Sequence, residues 1–338
     1  LLAELVGAKP VEVVAMNSLT VNLHLLMVSF YRPDSGRQAI IIEQGAFPSD
    51  RYAVESQIRF HGLDPETCLI EIAADPETGL IGKDALANCL REHGHRVALI
   101  LWPGVQYRTG QAFDLKAVAD LGHFYGCRVG FDLAHAVGNL QLHLHDSGAD
   151  FAAWCSYKYL NSGPGAIAGA FVHERHANAT LPRFNGWWGH RQDTRFQMGS
   201  EFNGTPGAEG WQLSNPPIFA MAPLRASLEL FQEVGMPALR RKSIGLTAYL
   251  ENLIEDRLSD VLRSITPHAP EQRGCQLSLQ VLAGREKGRS LFTYLMANGI
   301  IGDWREPDVI RLSPTPMYNR FGDCLQAVER IEQWAHRS

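Results

Sequence analysis

Short apolar runs alternate along this chain with longer amphipathic stretches, a pattern typical of consecutive βαβ units. The apolar runs predict strands at 11–15, 39–42, 68–72, 97–102, 127–131, 151–155 and 169–173. Helical periodicity lies between several of these runs, at 21–30, 51–61, 83–93 and 114–125. Strands and helices that alternate at this spacing predict a mostly parallel sheet covered by helices.

The second half of the chain has a different pattern. Residues 181–217 are rich in Gly, Asn, Trp and Arg and predict a long irregular region, which is usually functional or packs a partner. After a helix at 218–234, an α+β pattern follows, with helices at 239–260, 289–298 and 324–335 and strands at 275–281 and 309–312. We therefore predict a large domain over residues 1–235 and a smaller one over 236–338.

Composition and charge narrow the classes of protein. The 338 residues, 45% of them hydrophobic, suffice for two cores, and a mixed net charge of −5 does not favour a nucleic-acid partner. No apolar segment is long enough to span a membrane. The six cysteines show no paired spacing, so we expect reduced thiols and a cytoplasmic protein. Because the chain starts at Leu1, we expect that a natural N-terminal segment is missing.

Two predicted strands are followed by residues whose side chains could take part in a reaction. Lys158 follows the strand 151–155, beside Tyr157 and ahead of a Gly/Pro loop, and burial there would lower the pKa of its amine. Asp132 ends the strand 127–131, and His135 comes three residues later. A pyridoxal phosphate site needs a carboxylate for the pyridine nitrogen and a lysine that holds the aldehyde as a Schiff base. Both residues would lie at the carboxyl edge of the sheet, where ligands bind.

Other candidates are weaker when taken singly. Thr20 lies where a helix begins, which indicates either a plain cap or a phosphate site. Phe47 could stack on a ligand or belong to the core, and Arg311 could clamp a carboxylate or lie at the surface. His143 and His145 have strand spacing, but two imidazoles rarely make a closed metal site, so we predict no metal.

Six motifs together resemble the kynureninase family: GAFPSDRYAVESQ, FDLAHAVGN, SYKYLNSGPG, FNGWWGH, SNPP and RLSPTP. The resemblance extends from about residue 17 to the C-terminus. It implies the aspartate aminotransferase-like fold of pyridoxal-phosphate-dependent transferases, with a mostly parallel large domain and a smaller α+β C-terminal domain. It also implies hydrolysis of the Cβ–Cγ bond of L-kynurenine or 3-hydroxykynurenine. The products are anthranilate or 3-hydroxyanthranilate and L-alanine, in tryptophan catabolism and NAD biosynthesis.

The resemblance also implies roles for individual residues. Lys158 would be the Schiff-base lysine, Asp132 the partner of the pyridine nitrogen, and Tyr157 a group that moves protons. These three are the expected catalytic residues. The residues expected around pyridoxal 5′-phosphate are Leu19, Thr20, Phe47, Asp50, Asp132, His135, Tyr157, Lys158, Trp187 and Asn215.

The same resemblance implies a homodimer with its active site at the subunit interface. Trp187 and Asn215 would come from the other subunit and also contact the substrate, and Asn215 is the candidate partner for the hydroxyl group of 3-hydroxykynurenine. Arg311 would bind the substrate carboxylate.

Two other interpretations remain open on sequence alone. One is another enzyme of the same fold, namely a cysteine desulfurase, a selenocysteine lyase or an aminotransferase. A desulfurase needs a mobile cysteine, whereas Cys275 lies in a predicted strand and Cys324 at a helix start. The other interpretation is a non-catalytic binding protein, which has no reason to keep both Lys158 and Asp132.

Overall fold

The computed structural model describes residues 1–337 and divides into two compact units. The first unit consists of residues 1–75, 81–104 and 113–233. The second begins at residue 234 and also includes two short segments, 76–80 and 105–112. Among the described residues, no helix is both long and apolar enough to cross a membrane.

The first unit is built on a seven-stranded sheet of order β1-β7-β6-β5-β4-β2-β3. Five neighbouring strands, β3, β2, β4, β5 and β6, are parallel, and β7 is antiparallel to both β6 and β1. This arrangement confirms the predicted, mostly parallel sheet. The strands are β1 Val13–Ala15, β2 Ala39–Glu43, β3 Leu69–Ile72, β4 Val97–Pro103, β5 Arg128–Asp132, β6 Phe151–Trp154 and β7 Gly169–Val172.

Helices cover the sheet, and for this reason its central strands are almost wholly apolar. Every residue of β2 and β6 is buried, and β4 is buried as far as Trp102. The helices of this unit are α1 Leu2–Leu5, α2 Leu19–Phe30, α3 Pro48–Phe60, α4 Pro65–Cys68, α5 Ala85–His93, α6 Leu115–Phe124, α7 Leu144–Ser147, α8 Gln192–Arg195 and α9 Ile218–Val234.

The structure corrects two local predictions. Helix α3 begins at Pro48 rather than at residue 51, because proline is favoured in the first helical turn, where its missing N–H is not needed. His143 and His145 do not lie on a strand, since residues Leu144–Ser147 form a helical turn. The long region 181–217 is irregular, as predicted, and contains only short helical turns.

The second unit has a four-stranded antiparallel sheet of order β10-β11-β9-β8. Its strands are β8 Leu262–Ser264, β9 Leu277–Val281, β10 Asp303–Arg305 and β11 Val309–Leu312, and its helices are α10 Met236–Leu258, α11 Gly284–Ala297 and α12 Phe321–Ala335. Strands β8 and β10 have no counterpart in the sequence prediction. Each has only three residues and contains arginine, so neither gives an apolar signal.

Candidate active site

Lys158 lies in the loop that follows β6, and hydrogen bonds hold that loop in shape. The Ser156 hydroxyl donates to the carbonyl of Ile167 at 2.5 Å, and the N–H of Ser162 donates to the carbonyl of Ser156 at 3.1 Å. The N–H of Asn161 donates to the carbonyl of Lys158 at 3.0 Å. The lysine therefore extends from a fixed turn at the carboxyl edge of the sheet.

His135 is within hydrogen-bond distance of this lysine. Its Nε2 lies 3.2 Å from Lys158 Nζ. The two loops approach closely because Gly138 has φ of 80°, and a Cβ at that position would lie 2.7 Å from the carbonyl oxygen of Tyr159. Only glycine meets both requirements, so the sequence DLAHAVG brings His135 to the lysine loop.

Asp132 and Asp50 form a buried carboxyl pair beside the lysine. Asp132 ends β5, and its Oδ1 accepts a hydrogen bond from the N–H of Ala134 at 2.7 Å. Burial raises the pKa of both groups, and a hydrogen bond joins the two carboxyls. The negative charge of Asp132 raises the pKa of Asp50 further, and Lys158 favours the charged form of both carboxyls. The hydrogen bond between them raises the pKa of Asp50 and lowers that of Asp132, so Asp50 is the carboxyl that holds a proton more readily.

Helix α3 brings an aromatic ring to the same place. Phe47 is the residue before its first turn, and Lys158 Nζ lies 5.7 Å from the centroid of the Phe47 ring. The ring is 38% exposed, which is unusual for a phenylalanine between a buried strand and a helix. An exposed aromatic side chain beside a lysine amine is a suitable surface for a flat ligand ring.

Two helix N-termini meet at the other end of this site. Helix α2 begins at Leu19 and α3 at Pro48, and the hydroxyls of Thr20 and Ser49 lie 2.9 Å apart. The first N–H groups of a helix have no partner within the helix, and its dipole is positive at this end. Two such ends with two hydroxyl groups make a site for an anion such as phosphate.

Tyr157 precedes the lysine and is half exposed. Burial of the phenol and the neighbouring thiol of Cys155 raise the pKa of Tyr157 to about 12. The hydroxyl therefore stays protonated at neutral pH and can donate a proton or a hydrogen bond.

Three of the predicted residues belong to other parts of the chain. Trp187 and Asn215 are exposed residues of the irregular region, and Trp187 packs against Phe196 with ring centroids 5.7 Å apart. Arg311 belongs to the second unit, where its described partners are Asp303 and the carbonyl of Tyr107.

The residues that do come together fit pyridoxal phosphate. Lys158 supplies an amine for an aldehyde, and the two helix N-termini supply an anion site. Asp50 Oδ1 is buried and has no hydrogen-bond partner among the described residues. The carboxyl pair thus lacks a full set of donors within the protein, which suits the cationic N–H of a pyridine ring.

Sequence reasoning missed two members of this neighbourhood. Ser49 lies within the FPSD motif, and a helix start assigned at Pro48 would have placed its hydroxyl in the first turn of the helix. Glu43 ends β2 as a buried carboxyl, and burial together with the charges of Asp132 and Glu71 raises its pKa to about 8. A lone glutamate at the end of an apolar run gives no comparable signal.

His145, one of the two histidines considered as metal ligands in the sequence, contacts a buried carboxylate. His145 Nδ1 lies 2.9 Å from Oε1 of the fully buried Glu12, and His173 Nδ1 lies 3.6 Å from the same oxygen. Glu12 also accepts hydrogen bonds from the N–H groups of Lys9 and Glu174, each at 2.8 Å. Both oxygens of this buried carboxylate therefore have hydrogen-bond partners.

Known proteins show strong similarity to this chain. It is 64% identical over 334 residues to the kynureninase of Xanthomonas campestris pv. campestris (strain B100), which covers 99% of this chain and 79% of that protein. The chain belongs to the kynureninase family. The kynureninase of Stenotrophomonas maltophilia (strain K279a) is 63% identical over 335 residues, with the same coverage, and residues 239–331 match the family described as Kynureninase C-terminal domain.

Solved structures with the same fold are more distant in sequence. A cysteine desulfurase from Escherichia coli has a TM-score of 0.81 at 16% identity and covers 99% of this chain and 82% of its own. Alanine–glyoxylate aminotransferase from Nostoc sp. has a TM-score of 0.74 at 18% identity and covers 99% of this chain and 84% of its own. These similarities confirm the predicted aminotransferase-like fold for this member of the kynureninase family.

Proposed function

We propose that this chain is a pyridoxal-phosphate-dependent hydrolase that cleaves the Cβ–Cγ bond of L-kynurenine and 3-hydroxykynurenine. The products are L-alanine and anthranilate or 3-hydroxyanthranilate. The observation that carries this proposal is the identity of more than 60% with kynureninases over 99% of the chain. The amine, carboxyl pair and anion site around Lys158 support it independently, because each suits one part of the cofactor.

Each part of the cofactor has a candidate binding group. The N-termini of α2 and α3, with the hydroxyls of Thr20 and Ser49, would hold the phosphate. Phe47 and His135 would flank the ring, and Asp132 would pair with its nitrogen. When bound, pyridoxal phosphate supplies an aldehyde for the lysine and substrate amines and a ring that withdraws electrons from the reacting carbons.

The protein's own residues then have to move protons. Lys158 Nζ would take the proton from the substrate α-carbon, and His135 Nε2 lies 3.2 Å away to share that proton. Water would add to the γ-carbonyl carbon, which leaves as the carboxyl group of anthranilate when the Cβ–Cγ bond breaks. Tyr157, protonated at neutral pH, would donate a proton to the β-carbon, which becomes the methyl group of L-alanine. Asp132 would keep a negative charge, while the proton on Asp50 reduces repulsion within the pair.

Turnover of L-kynurenine provides the direct test. Purified chain, pyridoxal phosphate and L-kynurenine should release anthranilate, which is followed by its fluorescence, whereas Lys158→Ala should release none. Lys116→Ala is the matched control, because Lys116 is an exposed helical lysine paired with Asp120. Absence of anthranilate with the unmodified chain would contradict the proposed activity. Normal turnover by Lys158→Ala would contradict the assigned lysine.

The proposal includes a homodimer in which Trp187 and Asn215 complete the site of the neighbouring subunit. Both residues are exposed, and they are followed by Ile218 and Phe219, which are 72% and 92% exposed at the start of α9. Large apolar side chains exposed next to a functional motif are typical of a surface that another protein covers. The second copy would also bring Asn215 to the aromatic end of the substrate.

Mixed dimers test this arrangement. Lys158→Ala and Asn215→Ala should each be nearly inactive alone. When the two are co-expressed, half of the dimers are hybrids with one intact site, so about a quarter of the normal activity should return. No recovery, in a sample shown to contain hybrid dimers, would mean that Lys158 and Asn215 act in the same subunit.

A desulfurase activity has less support. Cys275 and Cys324 are buried, and burial raises the pKa of their thiols to about 12 and about 11. A reactive cysteine needs an accessible thiol with a lowered pKa. All six cysteines are free thiols, in keeping with the cytoplasmic location that we also propose.

We also propose that the boundary between the two domains lies between residues 235 and 236.

A further inference from the structure

The arginine proposed to bind the substrate carboxylate has a carboxylate partner of its own. Strand β10 pairs antiparallel with β11, and Asp303 lies directly opposite Arg311. Side chains opposite each other on neighbouring strands share one face of the sheet. Asp303 Oδ2 accepts from Arg311 Nε at 2.5 Å and also contacts Nη2 of the same guanidinium.

A backbone carbonyl holds the other side of the guanidinium. Arg311 Nη1 donates to the carbonyl of Tyr107 at 2.5 Å. The side chain of Gln276 donates to the same carbonyl at 3.0 Å, and the Ser278 hydroxyl donates to the carbonyl of Arg108 at 2.6 Å. The segment that contains Tyr107 is thus attached to β9, the neighbour of β11. Acceptors on two sides fix the plane of the guanidinium.

Asp303 does not cancel the positive charge of this group. Its Oδ2 also lies 2.9 Å from Nε of Arg305, and the guanidinium of Arg305 lies 5.5 Å from the centre of the Tyr107 ring. Asp303 thus faces two guanidinium groups rather than one. The Arg311 side chain is only 10% exposed, so this charge acts where water screens it weakly.

We propose that Asp303 is a positioning residue, which orients the Arg311 guanidinium to bind the α-carboxylate of an amino-acid substrate. The inference rests on the role proposed for Arg311 in kynurenine hydrolysis. An arginine binds a carboxylate with two parallel hydrogen bonds only when its plane is aligned. Asp303 fixes this alignment before the substrate arrives, so the cost of ordering a long side chain does not fall on binding.

Asp303→Asn tests the inference, since it removes the charge at nearly constant volume. We expect the KM for L-kynurenine to rise about tenfold and kcat to change by less than about twofold, because the α-carboxylate takes no part in bond breaking. Glu306→Gln is the matched control: Glu306 lies between β10 and β11 and pairs with Arg285 and Arg289 instead. An unchanged KM in Asp303→Asn would overturn the inference. A lower KM would also overturn it, because it would mean that Asp303 competes with the substrate carboxylate for Arg311.

Two amine ligands separate positioning from general distortion. L-alanine and L-alaninamide differ in whether the α-carboxylate is charged, and the absorbance of bound pyridoxal phosphate reports the binding of each without turnover. Asp303→Asn should weaken L-alanine about tenfold and leave L-alaninamide within about twofold. Equal weakening of both ligands would contradict the inference.

Arg311→Lys links this test to the proposed function. It should weaken L-alanine at least as much as Asp303→Asn does, and the double variant should lose little more than Arg311→Lys alone, because the two changes affect one contact. If the unmodified chain binds L-alanine but releases no anthranilate, the proposed reaction fails while the role of Asp303 is retained. If Arg311→Lys binds L-alanine normally, both the role of Arg311 and the inference about Asp303 are wrong.

Discussion

Asp132 and Asp150 are both buried aspartates of the same strand pair, but their surroundings differ completely. Asp132 ends β5 at the carboxyl edge of the sheet, and Asp150 precedes β6 at the opposite edge. Burial opposes charge on Asp150, but its hydrogen bonds hold its pKa well below the usual range, and the donors are His123, His176, Arg175 and the N–H of Val129. Asp132 has one backbone donor and a second carboxyl as its neighbours, and its pKa is raised.

The difference separates a structural carboxylate from the one for which we propose a role in binding the cofactor. The fold supplies Asp150 with nearly all the donors that its two oxygens can accept, so nothing further is needed there. Asp132 lacks such a set, although it is buried to a similar degree. A buried acid without enough donors is costly to the fold and is kept where a ligand supplies the missing cation.

Replacement of Asp132 should have the largest effect on catalysis. Asp132→Ala removes the proposed partner of the ring nitrogen, and we expect kcat/KM for L-kynurenine to fall by about a thousandfold or more. Steady-state kinetics with saturating pyridoxal phosphate measures this loss, and thermal unfolding checks that the variant is folded. A fall of less than about tenfold in kcat/KM would mean that the ring nitrogen does not depend on this carboxylate.

Replacement of Asp150 should affect stability instead. Asp150→Asn leaves two arginines and two histidines with a neutral partner, and we expect the free energy of unfolding to fall by about 3 kcal/mol. The activity per folded molecule should stay near normal. Urea unfolding and kinetics on one preparation measure both quantities, with Asp120→Asn on the surface of α6 as control. A loss of activity without a loss of stability would mean that Asp150 has a functional role rather than a structural one.

The pH dependence of this stability difference has a definite sign. The pKa of Asp150 is lower in the folded chain than its ordinary value of 3.8, so its contribution is fully present above that value and is lost as the pH falls below it. The part of the difference between the original chain and Asp150→Asn that comes from this carboxylate should shrink as the pH falls below about 4. A difference that grows in acid would mean that the aspartate is protonated in the native state.

Replacement of Asp50 should have the smallest effect. If Asp50 carries the shared proton, Asp50→Asn substitutes one neutral donor for another, and kcat/KM should fall by about threefold. Asp50→Ala removes the hydrogen bond to Asp132 and should be the more damaging change. Equal losses in the two variants would show that Asp50 acts as an anion.

Most of the first unit could be predicted because its strands are continuous apolar runs and its functional groups follow them directly. Lys158 and Asp132 are visible in the sequence as polar residues at strand ends, and their proximity follows from the parallel order of β5 and β6. For the candidate anion site, the sequence indicates Thr20 at the start of α2. It does not indicate Ser49, because the predicted start of α3 lies three residues too late.

The second unit was harder to predict because its decisive contacts join residues that have no local pattern. Arg311 could be identified as a candidate, but its partner Asp303 lies on a three-residue strand with no apolar signal. In the first unit, the five donors around Asp150 come from three places in the chain, namely His123, Arg128 with Val129, and Arg175 with His176, which no spacing rule connects. Ion pairs of this kind become visible only when the topology is known.

The position of β1 has a consequence for folding during synthesis. Val13 pairs with Phe171, so β1 finds its neighbour only after about 150 further residues have been added. Strand β1 must therefore stay unpaired until β7 has left the ribosome, and its apolar residues are open to aggregation during this interval.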